Sequence, residues 1–435
     1  MRMKASEIAG AAGGTLVGPD TDVDGATIDS RLAAGGKLFV PVRARRDGHD
    51  FIDDALAGGA AAYLTAARPR AGTAIVVDDT VAALAAAGAA ARDLLPDRVV
   101  GITGSVGKTS TKDLLAATFG RRWRTAASAR SFNNELGVPL TLLDAPGDSQ
   151  AVVVEMGARG PGHVAALCAV ARPTVGVVTT VGMAHTEQFG TVEAVARAKG
   201  ELVESLPTDG VAVLNADNPL VAGMAALTQA MVLTFGLAAG DVRAADVRLD
   251  DELRPRFRLL SPWGEADVRL AVRGEQQVAN ALAAAAAALA CGMDLEEAVA
   301  GLGKAAVSPW RMDLARSPGG TLVLNDSYNA NPLSTEAALR SLARLDASRR
   351  TAVLGVMAEL GPGGPAEHRR LGELAAELGI RVIAVAAPDY GGEQVDDPDA
   401  ALALLGSLGP GDAVLVKGSR AAGLESLAGR LVSGR

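Results

Sequence analysis

The chain has 435 residues, 49% hydrophobic and 21% charged, a composition that gives ample apolar surface to bury and excludes a disordered chain. Its net charge of −8 and pI near 5.2, with the basic residues at 121, 122 and 124 too few to form a patch, argue against a nucleic-acid surface. The longest apolar stretch, around Ala281 to Ala290, is far short of the ~20 residues a membrane span needs, and Glu7 interrupts the N-terminus before an apolar leader can form.

In chain order, residues 1–96 hold short β-like runs at 37–40 and 74–77 and Ala-rich helical stretches at 52–59 and 80–95, before Leu94-Leu95-Pro96-Asp97 breaks the pattern. From 97 to 307, strands at 99–102, 151–154, 175–180 and 211–215 each precede a polar or glycine-rich turn and a helical period, which implies βαβ units and a mostly parallel sheet. Thr191 to Leu206 reads as one of these helices, with a Thr cap and a Pro207 stop. Residues 241–273 are more polar and suggest a small antiparallel excursion before the alanine helix. Cys168 and Cys291 both fall in Ala-rich, helical stretches and are expected as buried free thiols rather than as a disulfide or a metal cluster. Strands at 321–324, 352–354, 382–385 and 413–416 then alternate with helices in 308–435. The expected fold is α/β with three domains, 1–96, 97–307 and 308–435: a small α/β unit, a P-loop unit with a mostly parallel sheet, and a Rossmann-like unit.

The chemistry concentrates at the carboxyl ends of these strands, where open α/β sheets bind ligands. GITGSVGKTSTK (101–112) joins an apolar strand to a helix through glycines at 101, 104 and 107. Such a turn lets backbone N–H groups approach phosphate oxygens at a helix N-terminus, with Lys108 reaching the β/γ-phosphates and Thr109 available to Mg²⁺. The pattern is a variant P-loop, since the strict form requires glycine where Ile102 stands. Glu155, ending an adjacent strand, is placed as a Mg²⁺ ligand, because hard cations take oxygen and nucleotide sites add only one or two carboxylates. His185 after the next strand, taken alone, is an ordinary histidine; beside Glu155 and the P-loop it becomes a second candidate ligand. Lys199, taken alone, is a solvated helical lysine.

Together with SFNNELGVP (131–139), VVVEMG (152–157), VTTVGMAHTEQFG (178–190), ARAKGE (196–201), NDSYNANP (325–332) and VLGVMAELG (353–361), the P-loop run resembles the Mur ligase family over almost the whole chain. NDSYNANP, M-x-E-L-G and VKGSR are similar to the member that adds a terminal D-alanyl-D-alanine; the D-Y-A-H-x-P and D-N-P-R stretches of the member that adds the third residue are absent.

The resemblance implies an ATP-dependent amide ligase acting through an acyl phosphate, with UDP-N-acetylmuramoyl tripeptide and D-alanyl-D-alanine as substrates in the cytoplasm. No nucleic-acid partner, no membrane span and a monomer are expected. Gly104, Ser105, Val106, Gly107, Lys108, Thr109 and Ser110 would hold the ATP phosphates; Thr109 and Glu155 one Mg²⁺; His185 a second, assisted by a carbamylated Lys199. Lys108, Glu155, His185 and Lys199 form the implied catalytic set. Asn280, Arg311, Asn325, Tyr328 and Asn329 would hold adenine and ribose; Asp29, Ser30, Arg31, Asp47 and His49 the UDP-sugar; Asn133 and Asn134 the muramoyl peptide; Lys417, Ser419 and Arg420 the dipeptide or the transferring phosphate. Asp326, Glu359 and His368 are candidates for the base that deprotonates the amine. The chain departs from the family at Gln276, where relatives carry histidine and which cannot titrate, and at Val356, where relatives are often acidic. A sibling ATP-dependent ligase, of another Mur ligase or the folylpolyglutamate synthetase type, and a nucleotide-binding scaffold without ligation are the competing readings.

Overall fold

Short β-branched runs bounded by glycine and polar turns build three large sheets and one two-stranded ribbon among the described residues of the computed structural model, which are 1–129, 131–183 and 186–433. The first sheet has five strands in the order Thr15–Val17, Ala74–Val76, Ala62–Thr65, Leu38–Phe39 and Ala26–Thr27, parallel except at its first pair.

The central sheet has nine strands, and its parallel part carries the site. Val99–Thr103 lies between Ala151–Glu155 on one side and Val175–Val178 on the other. All three strands are buried along their full length, as strands covered by helices on both faces must be. The chain therefore leaves Val99–Thr103 toward one neighbour and later returns to the other, which opens a crevice at the carboxyl ends of these strands. The expected antiparallel excursion is present as Val242–Leu249, Pro255–Ser261 and Gly264–Arg269 at one edge.

Helix Lys108–Phe119 starts in this crevice and is clamped from behind. Ala281–Ala288 of helix Gln276–Ala290 are fully buried and share a core with Leu114, Leu115 and Phe119. Methyl side chains let that helix approach closely. Gly301, in helix Leu295–Leu302, sits where a Cβ would lie 2.5 Å from the Cα of Thr118.

The expected division at 96 does not separate two cores. Ala83, Leu84 and Ala87 of helix Thr80–Asp93 share one cluster with Val138, Leu142, Val152 and Leu167, and Gly88 packs against Pro139 of helix Gly137–Asp144. The link to the third unit is tied down as well: the backbone N–H and Oγ of Ser308 donate to Asp113 Oδ2 at 2.7 and 2.8 Å.

The third sheet has six strands, Asp313–Arg316, Leu322–Asn325, Asp412–Lys417, Arg349–Gly355, Arg381–Val385 and Glu393–Val395, antiparallel only at the first pair. Cys168 is buried in helix His163–Ala171, and desolvation pushes its thiol up to about 11. Cys291 departs from expectation: it caps the end of the alanine helix and is only half-buried. Among the described residues no helix is long and apolar enough to cross a membrane.

Candidate active site

The turn after Val99–Thr103 is glycine where the backbone demands it. Gly104 (φ +148°) leaves no space for a Cβ, which would lie 1.9 Å from Thr179 Oγ1, and Gly107 (φ +88°) faces Asn280 Oδ1 at 2.3 Å in the same way. Gly101 plays a different part from the one expected. It lies within the strand, under Leu202 and Met156, so the cradle begins at Gly104. Ser105 pins the loop to the neighbouring strand's exit: its N–H donates to Thr180 O at 2.7 Å and its Oγ to Gly182 O at 3.2 Å. Thr179 Oγ1 donates to Val106 O at 2.6 Å. Thr109 and Ser110 are buried in the first turn of the helix. Lys108 folds back, Nζ donating to Gly104 O at 2.6 Å; burial and the cation of Arg311 lower its pKa, while Glu155 opposes them.

Glu155 is 1% exposed, with Oε1 accepting from Asn133 Nδ2 at 2.8 Å and Oε2 buried without a hydrogen-bond partner among the described residues. An orphaned carboxylate oxygen beside a phosphate cradle has the chemistry of a cation ligand. Among the described residues no three His, Cys, Asp or Glu side chains converge. His185 lies outside the described residues. Lys199 is 2% exposed, and burial, reinforced by Lys108, holds its amine well below the ordinary lysine value. Lys108, Asn133, Asn134, Lys199 and Glu359 line one cavity of about 410 Å³.

Asn133 and Asn134 both border that cavity, yet their polar ends are engaged within the protein. Asn133 orients Glu155, and Asn134 Oδ1 accepts from the N–H of Gly137 at 3.0 Å. Asn280 likewise braces the loop: it lies behind Gly107, its Nδ2 donating to Gln277 Oε1 at 2.9 Å and its Oδ1 accepting from Thr111 Oγ1 at 3.4 Å. The Oε1 of Gln276 is buried without a hydrogen-bond partner among the described residues.

From the third unit, Arg311 reaches the start of the P-loop helix, its Nη2 donating to Thr109 Oγ1 at 2.9 Å with its guanidinium 4.2 Å from the Tyr328 ring centroid. Asn325 Oδ1 accepts from the N–H and Oγ of Ser327, closing a local turn, and Asn329 is exposed. Asn331 and Pro332 start helix Pro332–Arg344, Asn331 forming a capping box with Ser334.

Lys417 and Ser419, expected to meet the dipeptide or phosphate, are engaged within the protein. Lys417 is 2% exposed, and its Nζ donates to Asp326 Oδ2 at 2.5 Å and to Asn329 O at 2.9 Å. Ser419 Oγ accepts from the N–H of Ala358 at 2.8 Å, and its own N–H donates to Val356 O. These groups tie the 326–330 turn and the 356–359 turn to one strand end. Arg420 is exposed and lies over the Trp310 ring. Of the base candidates, His368 has both ring nitrogens taken, Nε2 accepting from the N–H of Met357 at 3.0 Å and Nδ1 at 2.7 Å from Gly364 O; Asp326 is occupied by Lys417 and the N–H of Met312. Glu359, at φ +65°, lines the cavity.

In the first unit, Asp29 caps the short turn Ser30–Leu32 and pairs with Arg31 at 2.6 Å. Asp47 caps the turn Gly48–Phe51 and holds His49 Nδ1 at 2.6 Å, while His49 Nε2 accepts from the N–H of Ala66. Both imidazole nitrogens are thereby used within the protein. Sequence reading did not single out Lys112, Glu135, Arg159 or His163. Lys112 is buried in the P-loop helix, its Nζ donating to Ser128 O at 2.8 Å, and the other three line the cavity. Arg159 and His163 follow Glu155 closely in sequence, which was the available signal.

Comparison with known proteins agrees with this geometry. Residues 102–288 match the Mur ligase middle domain and residues 310–420 the Mur ligase, glutamate ligase domain. The chain is 43% identical to a UDP-N-acetylmuramoyl-tripeptide--D-alanyl-D-alanine ligase of Mycobacterium tuberculosis, over 93% of this chain and 91% of that protein. It superposes with a TM-score of 0.86 and 31% identity on the UDP-N-acetylmuramoylalanyl-D-glutamyl-2,6-diaminopimelate--D-alanyl-D-alanyl ligase of Acinetobacter baumannii, covering 99% of this chain and 98% of that one. The MurF ligase of Thermotoga maritima in complex with ADP gives 0.82 and 29%, covering 94% and 97%. A phosphate cradle, an adjoining buried carboxylate and full-length similarity thus lead to one conclusion: the chain belongs to the Mur ligase family.

Proposed function

We propose that this protein is an ATP-dependent amide ligase that joins D-alanyl-D-alanine to UDP-N-acetylmuramoyl tripeptide, in cytoplasmic synthesis of peptidoglycan precursors, working as a monomer. The observation that carries the reading is the convergence of Lys108, Lys199 and Asn133, with Asn133 holding Glu155, on one cavity at the phosphate cradle. Similarity to relatives named for this reaction supports the two substrates, and the ADP-bound relative supports the nucleotide.

A carboxylate resists amine attack because its leaving group is poor, so its oxygen first attacks the γ-phosphorus of ATP in line, ADP departs, and an acyl phosphate remains. The dipeptide's amine then attacks the acyl carbon, phosphate leaves, and the amine's proton passes to a base. Backbone N–H groups at the start of helix Lys108–Phe119 and the Lys108 ammonium offset charge on the transferring phosphoryl oxygens. Arg311 stands at Thr109, positioned to join them from the third unit. Thr109 and Glu155 would hold Mg²⁺ and His185 a second ion, which supply Lewis-acid neutralisation of phosphate charge. The buried amine of Lys199, held toward its neutral form, suits addition of CO₂, which would convert it into an anion able to assist the second ion. Glu359 is the base candidate that borders the cavity.

The test is phosphate release by the purified protein with ATP and Mg²⁺. Release that requires tripeptide and dipeptide together, with a pentapeptide product of the summed mass less water, is the expected result. ATP binding without turnover for either a lysine or a diaminopimelate tripeptide would refute the reading.

A further inference from the structure

The cavity beside the phosphate cradle holds more charge than phosphoryl transfer uses. Its cations are Lys108 and Arg159, beside the buried amine of Lys199, and its carboxylates are Glu135 and Glu359, with His163 also lining it. Lys108 and Lys199 belong to the phosphate end. Arg159 is exposed, and its guanidinium makes no hydrogen bond or ion pair among the described residues. Its backbone alone is engaged, the N–H donating to His163 Nδ1 at 3.3 Å. Arg159 lies on the segment that follows Glu155 out of the central sheet, so it borders the same space as the reacting groups without belonging to the cradle.

Resting on the ligase reading, we propose that Arg159 is a specificity-determining residue that binds a carboxylate of the tripeptide's peptide moiety. The reacting carboxyl must sit at the Lys108 end of the cavity, so the rest of the peptide extends along its wall. A cavity of about 410 Å³ accommodates an amino-acid side chain beyond the transferring phosphate. A planar guanidinium with unused donors suits bidentate contact with a carboxylate. A tripeptide of the alanyl-D-glutamyl-diaminopimelate kind offers two such groups besides the reacting one: the D-glutamyl α-carboxylate, and the carboxylate at the far end of diaminopimelate that lysine lacks.

The experiment measures kcat and peptide KM for the wild-type protein, Arg159→Gln and Arg159→Lys with each of the two tripeptides. Arg159→Gln should raise peptide KM about tenfold with kcat little changed, the loss of one exposed charge-assisted contact, and Arg159→Lys should recover part of it. A rise confined to the diaminopimelate tripeptide assigns the distal carboxylate; an equal rise for both tripeptides assigns the D-glutamyl group. An unchanged KM with both, or a fall in kcat alone, overturns the proposal while leaving the ligase intact. Absence of wild-type turnover with either peptide is a different result, because it refutes the ligase reading itself.

Discussion

Glu155 has one oxygen satisfied by Asn133 and one left buried without a partner among the described residues, an arrangement that is costly unless a cation or donor completes it. Glu155→Gln removes the anion while keeping the shape. It should lower kcat about 100-fold or more and raise the Mg²⁺ concentration needed for half-maximal activity, with thermal unfolding little changed. Steady-state kinetics over a Mg²⁺ series checks this. Lys417 makes the contrasting case: its ammonium is buried against Asp326, so Lys417→Met strands a carboxylate. A loss of about 3–5 kcal/mol in unfolding free energy is expected, partly recovered in the double variant with Asp326→Asn. Denaturant titration of the single and double variants measures it. The sequence marked Asn133, Asn280, Lys417 and Ser419 as important, yet could not separate ligand contact from bracing. Which polar partner a side chain meets is settled by strands far apart in the chain, as Lys417 and Asp326 illustrate.

Helices and strands were legible because their signals are local. Thr191 caps its helix through the N–H of Ala194, and Asp79, Asn331 and Asp397 do the same elsewhere. The polar run 241–273 forms the antiparallel edge its alternation suggests. Hidden from a single sequence were the close approaches that make glycine or alanine necessary. Gly301 is an unremarked residue in the chain and a contact point against the P-loop helix in the fold. Gly301→Val should cost about 1–3 kcal/mol of stability, because the added carbons meet backbone rather than a yielding side chain. Chemical unfolding would show a lower midpoint with an unchanged slope.

Three α/β layers follow from three runs of alternating strands and helices, but the division near 96 is a division of chain, not of core: helix Thr80–Asp93 joins the first unit to the central one. The third unit meets the site through Arg311 at Thr109 and through Glu359, whose carbonyl accepts from the N–H of Glu187. Nucleotide chemistry and peptide chemistry are thereby brought to one crevice, where a hydrolysable acyl phosphate can be kept from water. That intermediate is the centre of the mechanism, and trapping it is the most direct test. With ATP, Mg²⁺ and tripeptide but no dipeptide, added hydroxylamine should yield the tripeptide hydroxamate and an equal amount of ADP, and Lys108→Ala should yield neither. Normal pentapeptide formation in the presence of the dipeptide, with no hydroxamate in its absence, would contradict an acyl phosphate formed at this site before the amine arrives.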